Sequence, residues 1–185
     1  MINKKEFHNI RKDLENFEEK REQVIQLSRE IITLSKQIIY SIHRDELNLV
    51  PPLITKIKAK VKSLPPSHHD TDIYKVALQE YAEALAYYHF VKDKKLVLRK
   101  ELGLDSECYL LGLCDFTGEL VRKATTHIIQ GNTKEAEEIR RFVEDLYGEF
   151  IKFNFRNGDL RKKTDMLRGN LRRLEEIMVN VKLRG

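Results

Sequence analysis

The sequence predicts an all-α fold: a single-domain bundle of about six or seven helices, opened by one very long N-terminal helix. Three observations lead there. Apolar residues recur at spacings of three, four and seven over most of the chain. The 185 residues include only 4 Pro and 8 Gly, too few for a loop-rich or many-stranded protein. No segment alternates as a strand does, apart from one short lysine-rich run. At this length one substantial core is expected and two are not, so residues 1–185 read as one domain.

The first segment carries Phe7, Ile10, Leu14, Phe17, Val24, Ile31, Ile38 and Ile42 at helical spacing, with no Pro or Gly before Pro51. A helix of roughly 40 residues would be about 60 Å long, more than a compact monomer of this size spans. Part of it is therefore expected to pack against another subunit or to form one long wall of a bundle, with an elongated monomer as the alternative. Pro51-Pro52 and Pro65-Pro66 bracket residues 53–64. Here Leu53, Ile57, Val61 and Leu64 keep a helical period, while residues 57–62 alternate. Helix is preferred, because a lone strand would have nothing to pair with. Lys56, Lys58, Lys60 and Lys62 make this the most one-sidedly basic element, suited either to phosphate contact or to plain solvation.

After a loop at Ser67-His68-His69-Asp70, a helix capped by Thr71 or Asp72 is expected to run to about residue 94. Asp105 or Ser106 caps the next, which runs to about residue 130. Asn132 with Glu135 resembles a capping box and opens a helix that ends near residue 150. Asn157-Gly158 marks the last turn, before a helix with Leu160, Leu167, Leu171, Leu174 and Met178 on one face.

Cys108 and Cys114 lie six apart inside one expected helix, which fits neither a disulfide framework nor a zinc spacing, so both read as core packing in a reducing compartment. His89 and His127 read as packing histidines, and His68-His69 as a solvated pair. The N-terminus opens directly into charged helical sequence, and no run approaches the roughly 20 apolar residues of a membrane span. A cytoplasmic protein with no membrane partner is expected. The net charge of +5, from 34 basic and 29 acidic residues, leans modestly toward a polyanionic partner. P-loop, dinucleotide-binding, nucleophile-elbow and zinc motifs are absent, which removes the enzyme classes built on them.

Two stretches, 76–88 and 108–120, are apolar almost all the way round, and their only charges are Glu80 with Glu83 and Asp115 with Glu119. Helices without a polar face must be buried, and a buried carboxylate needs a cation. Neither stretch contains Lys or Arg. Hard oxygen ligands from two facing helices suit Mg2+, or Mn2+, and could hold one ion or two. A metal there would lower the pKa of a water so that hydroxide attacks phosphorus, which is nuclease chemistry. Di-iron bundles use Glu-x-x-His pairs, and no His stands at that spacing from these acids. The plainer reading is that one acid of each pair bridges to a basic residue of another helix and the rest face water.

Residues 79–84, Gln-Glu-Tyr-Ala-Glu-Ala, with His89-Phe90 following, and residues 110–120, Leu-Leu-Gly-Leu-Cys-Asp-Phe-Thr-Gly-Glu-Leu, resemble segments of the translin and translin-associated factor X family. Residues 21–31 and 39–44 are similar to its N-terminal helix. Residues 157–165 and the closing Val-Lys-Leu-Arg-Gly are similar to its C-terminal helix. The likeness covers nearly the whole chain. It implies an all-α bundle that assembles into large hollow oligomers, typically octamers. It also implies binding of RNA, possibly of single-stranded DNA, and, in the catalytic branch, a Mg2+-dependent endoribonuclease whose acids fall on Glu80, Glu83, Asp115 and Glu119. The longer insertion between the acidic helices and the tail of the eukaryotic nuclease are absent, so a minimal, archaeal-type member acting as a homo-oligomer is expected.

The resulting expectation is cleavage of single-stranded or flexible RNA, with Arg44, Lys58, Lys60 and Lys62 on its backbone. The rivals are a non-catalytic binder of RNA or single-stranded DNA, with salt-sensitive affinity, and a scaffold that only oligomerises.

Overall fold

The computed structural model describes residues 2–65, 71–156 and 158–184. Helix α1 (Lys4–His43) starts where the Asn3 side chain accepts the amides of Lys5 and Glu6 at 3.1 and 3.3 Å, which supplies two of the acceptors a helix start lacks. It ends at a tight turn with Asp45 in the left-handed region, φ 59. The Asp45 carboxylate accepts from the buried ammonium of Lys123 at 2.6 Å, fastening this turn to a residue 78 positions along the chain.

A short 3-10 turn leads into α2 (Val50–Ser63), so the lysine-rich run is helical. Pro51 and Pro52 lie within its first turn rather than ahead of it, where a missing N–H costs nothing. Then follow α3 (Ile73–Asp93), the four-residue α4 (Arg99–Leu102), α5 (Ser106–Ile129), α6 (Thr133–Phe150) and α7 (Asp159–Arg184). No strand occurs among the described residues. The loop His68-His69-Asp70 and Asn157 lie outside the described residues.

Two of the expected caps are not formed. Asp105 accepts the Cys108 amide at 2.8 Å as its position suggests, whereas Asp72 and Asn132 occupy the cap positions of α3 and α6 without a side-chain hydrogen bond.

The packing order is α1 on α3, α3 on α5 and α5 on α7, with α2 against α1 and α6 against both α5 and α7. The all-round apolar helices are thus the two in the middle. Residues 81–88 of α3 are buried without a break, and α5 buries Leu111, Gly112, Leu113, Cys114, Phe116 and Leu120. Phe90, Phe116 and Phe142 tie α3, α5 and α6 together at ring separations of 4.6 to 6.0 Å. Both cysteines are buried and unpaired, and burial pushes each thiol up to about 12. α1 is divided in its use. Val24, Ser28, Ile31, Ser35, Ile38 and Ile42 are buried at alternating three- and four-residue steps, while Phe7, Ile10 and Leu14 nearer the start are exposed. Among the described residues no helix is long and apolar enough to cross a membrane.

Candidate metal and nucleic-acid site

α3 and α5 cross at Gly112, and the crossing is too tight for any other residue. A Cβ at this position would stand 2.5 Å from Ala82 Cβ, 2.6 Å from the Gln79 carbonyl oxygen and 3.1 Å from the Glu83 nitrogen. Asp115 and Glu119 follow Gly112 by three and seven residues, so they continue along the helix face that makes this contact. Glu80 and Glu83 leave α3 from the turn on the other side of it. The missing Cβ therefore brings two acidic faces together.

Glu80, Glu83 and Glu119 line one cleft of about 320 Å³, with Lys36 and Tyr40 of α1 and Arg122 of α5 on its other walls. Asp115 stands close enough to raise the pKa of both Glu80 and Glu83. A larger groove of about 520 Å³ between the ends of α5 and α7 is lined by Ile128, Ile129, Ile177 and Val181 with Thr125, Thr133 and Asn180. It holds no titratable side chain and offers no comparable chemistry.

Each acid has a different environment. Asp115 accepts a short hydrogen bond from the Lys163 ammonium of α7. Glu119 Oε2 meets His43 Nε2 of α1 at 2.5 Å and lies 4.0 Å from an Arg122 nitrogen. On its other side, His43 Nδ1 is 3.1 Å from the Tyr87 hydroxyl. A Tyr87 O–H donating to Nδ1 leaves Nε2 as the donor to Glu119, so these partners define one tautomer of a buried imidazole. Glu80 is shifted upward, first by burial and then by Asp115 and Glu119, against the pull of Lys36. Glu83 is only 8% exposed, and burial, helped by Asp115, Glu80 and Glu119, pushes it up to about 9. At neutral pH Glu83 therefore holds a proton. Burial is the larger cause and the neighbouring carboxylates add to it.

This donor set fits a hard divalent cation by type: four carboxylates, no thiolate, and one acid kept neutral by its burial among the others. Among the described residues, however, no three His, Cys, Asp or Glu side chains are close enough together to enclose a metal ion. Lys163 holds Asp115 and His43 holds Glu119 instead. The plainer reading from sequence, one bridged acid per pair, is also not what forms. Both bridged acids are on α5, and the α3 pair is the one raised by burial.

The basic residues read from sequence scatter. Lys58 and Lys62 are exposed on α2 away from the cleft, and Lys60 is paired with Glu30 at 2.5 Å. Arg44 lies beside the cleft, its guanidinium 5.6 Å from the ring centroid of Tyr40 and 2.9 Å from a Glu46 oxygen. The residues that the sequence did not single out are the basic side chains around the acids: Lys36, His43, Arg122 and Lys163. Lys36 and His43 are seven apart on α1, a spacing that puts them on one face and offered the one available signal. The other packing-histidine readings divide: His89 pairs with Asp93 at 3.5 Å, whereas the buried His127 Nδ1 has no hydrogen-bond partner among the described residues.

Comparison with known proteins gives the same neighbourhood from several directions. The profile of the Translin family matches residues 19–185. An uncharacterized protein of Methanocaldococcus jannaschii is 33% identical over 92% of this chain and 82% of its own length. The crystal structure of apo-NeC3PO superposes with a TM-score of 0.87 at 28% identity, over 94% of this chain and 95% of that one. AfC3PO in complex with duplex RNA superposes with a TM-score of 0.78 at 28% identity, over 97% of each chain.

Proposed function

The chain belongs to the Translin family, and from that premise we propose that it is a Mg2+-dependent endoribonuclease that cuts single-stranded or flexible RNA. The observation that carries this reading is that Glu80, Glu83 and Glu119 line one cleft beside the Gly112 crossing, with Asp115 near enough to raise Glu80 and Glu83, and with burial holding Glu83 protonated. Glu80, Glu83, Asp115 and Glu119 would hold the metal. When bound, Mg2+ or Mn2+ supplies an acidified water and neutralises charge that builds on the phosphodiester. Glu83 would have to lose its proton to serve as a ligand. His43 fixes the Glu119 carboxylate between α1 and α5, and Tyr87 fixes His43. Lys163 covers Asp115, and with a cation on that carboxylate it would be free to face a phosphate oxygen. Lys36 and Arg122 on the cleft walls add positive charge for a polyanion that would otherwise be repelled by the acids. The expected products carry 5′-phosphate and 3′-hydroxyl ends.

The likeness to AfC3PO, whose structure contains duplex RNA, supports RNA as the ligand class. A cytoplasmic homo-oligomer, an octamer by family likeness, is the proposed working form, and the exposed apolar start of α1 supports assembly. The test is cleavage of a fluorescent single-stranded RNA. Turnover with Mg2+ that stops in EDTA and falls at least a hundredfold in Glu80→Ala is expected, and undiminished cleavage by that variant would sink the site assignment.

A second reading, a binder of RNA or single-stranded DNA without turnover, is favoured by one observation: Asp115 already has a cationic partner in Lys163. It predicts salt-dependent binding and no difference between Mg2+ and EDTA.

A further inference from the structure

Tyr40 differs from every other tyrosine in the chain. Tyr81, Tyr87 and Tyr88 are buried, and Tyr74, Tyr109 and Tyr147 are half-buried, but Tyr40 is 57% exposed. It stands on the wall of the acidic cleft, one helical turn beyond Lys36 on α1. Arg44, one further turn along, lays its guanidinium against the ring at 5.6 Å from the centroid and is itself anchored to Glu46 at 2.9 Å. The ring is thus held from one side, with more than half its surface still in water. An exposed aromatic face braced by a planar cation, at the mouth of a cleft with Lys36 and Arg122 on its walls, has the parts of a nucleotide subsite: positive charge for the phosphate and a flat apolar face for the base.

We infer that Tyr40, braced by Arg44, is a stacking platform for one unpaired nucleobase beside the four acids. This rests on the reading of the cleft as an RNA site and sharpens it, because a base inside a duplex has both faces covered and cannot stack on a side chain without leaving the helix. The platform therefore selects single-stranded or locally opened nucleic acid, through the face that every base possesses rather than through hydrogen-bonded sequence readout. The phosphates of a duplex could still be drawn by Lys36 and Arg122 but would gain nothing from Tyr40.

The test measures binding by fluorescence anisotropy in EDTA, where no cleavage occurs, of a short oligoadenylate and of a blunt hairpin closed by a non-nucleotide linker with the same number of phosphates. Wild type, Tyr40→Phe, Tyr40→Leu and Arg44→Gln are compared. Tyr40→Leu should weaken the single strand on the order of tenfold, the scale of one base–aromatic stack, and leave the hairpin unchanged. Tyr40→Phe should keep the wild-type value, and Arg44→Gln should fall between. An aminopurine in the single strand should be quenched by wild type and not by Tyr40→Leu. Equal single-strand affinity for wild type and Tyr40→Leu, or equal losses on both RNAs, overturns the platform. If wild type nevertheless cleaves RNA with Mg2+, the functional reading survives that result. Wild type that neither binds nor cleaves RNA overturns both. A Tyr40→Leu variant that changes the mass of the assembly in light scattering, with parallel losses on both RNAs, makes Tyr40 an interface residue and overturns the platform as well.

Discussion

Glu83 gives the cluster a pH signature. Its carboxyl titrates at about 9 in the folded chain and near 4.5 when exposed. Between those values the native state binds a proton that the unfolded chain has released, so each rise in pH through that window moves the balance toward unfolding. The melting temperature of metal-free protein is expected to fall from about pH 5 to about pH 9, and Glu83→Gln should flatten that fall. The two proteins should melt together near pH 5 and diverge by several degrees near pH 9, whereas parallel curves would contradict the assignment. Lys163 offers a second residue-level test. With its ammonium removed and its length kept, Lys163→Met leaves Asp115 without a competitor, so Mn2+ titrated by electron paramagnetic resonance in the absence of RNA should bind roughly tenfold more tightly, about 1.4 kcal/mol. Unchanged or weaker Mn2+ binding would show that Lys163 does not compete with the metal. The four acids were legible in the sequence because each interrupts an otherwise apolar run. Their partners were not, because His43 lies 76 residues from Glu119 and Lys163 lies 48 from Asp115, and no spacing rule reaches across three helices.

At the scale of the elements, the α3–α5 pair joins a close contact at Gly112 to the ring contacts of Phe116 with Tyr87 and Phe90. Gly112→Ala places a methyl group 2.6 Å from the Gln79 carbonyl, so one helix must shift. The expected loss is about 1–3 kcal/mol, in the range of an overpacked core, with a fall of several degrees in the melting temperature. The acids would separate along with the helices, so Mn2+ affinity should drop even at temperatures where the variant is folded. A variant that melts like wild type would contradict the close crossing. Helix positions followed well from periodicity, since burial of one face imposes it. The lysine-rich run shows why its alternation misled nothing: Leu53, Ile57 and Val61 needed a shared face, and the lysines between them lie outside it, Lys58 exposed and Lys60 paired with Glu30. The caps at Asp72 and Asn132 did not follow, because a capping side chain forms its bond only if the preceding backbone is extended, and here Asp72 is helical (φ -89, ψ -6) and Asn132 (φ -88, ψ 67) is not extended either. Gly112 was visible in sequence only as a small residue; its meaning depends on where another helix crosses.

For the whole molecule, α1 is the element whose length exceeds what the bundle uses. Its buried face begins at Val24, and Phe7, Ile10 and Leu14 stand exposed on the projecting part. Replacing all three by Ser should reduce the mass of the assembly measured by light scattering while the helical circular dichroism of the bundle persists; an unchanged mass would place the interface elsewhere. The excess length was legible in the sequence, because nothing between residues 4 and 43 breaks a helix. What it covers was not, since exposed apolar side chains at helical spacing look the same whether they meet a neighbouring helix or a second chain. The same rod that ends in the projecting apolar face also carries Lys36, Tyr40 and His43 against the acids. From Leu14 to Tyr40 runs about 39 Å of uninterrupted helix, at 1.5 Å per residue. Such a helix behaves as a lever arm: a roll or slide imposed at one end reaches the other without any loop having to move. A grip on the far end would arrive at the cleft as a change in how His43 presses on Glu119.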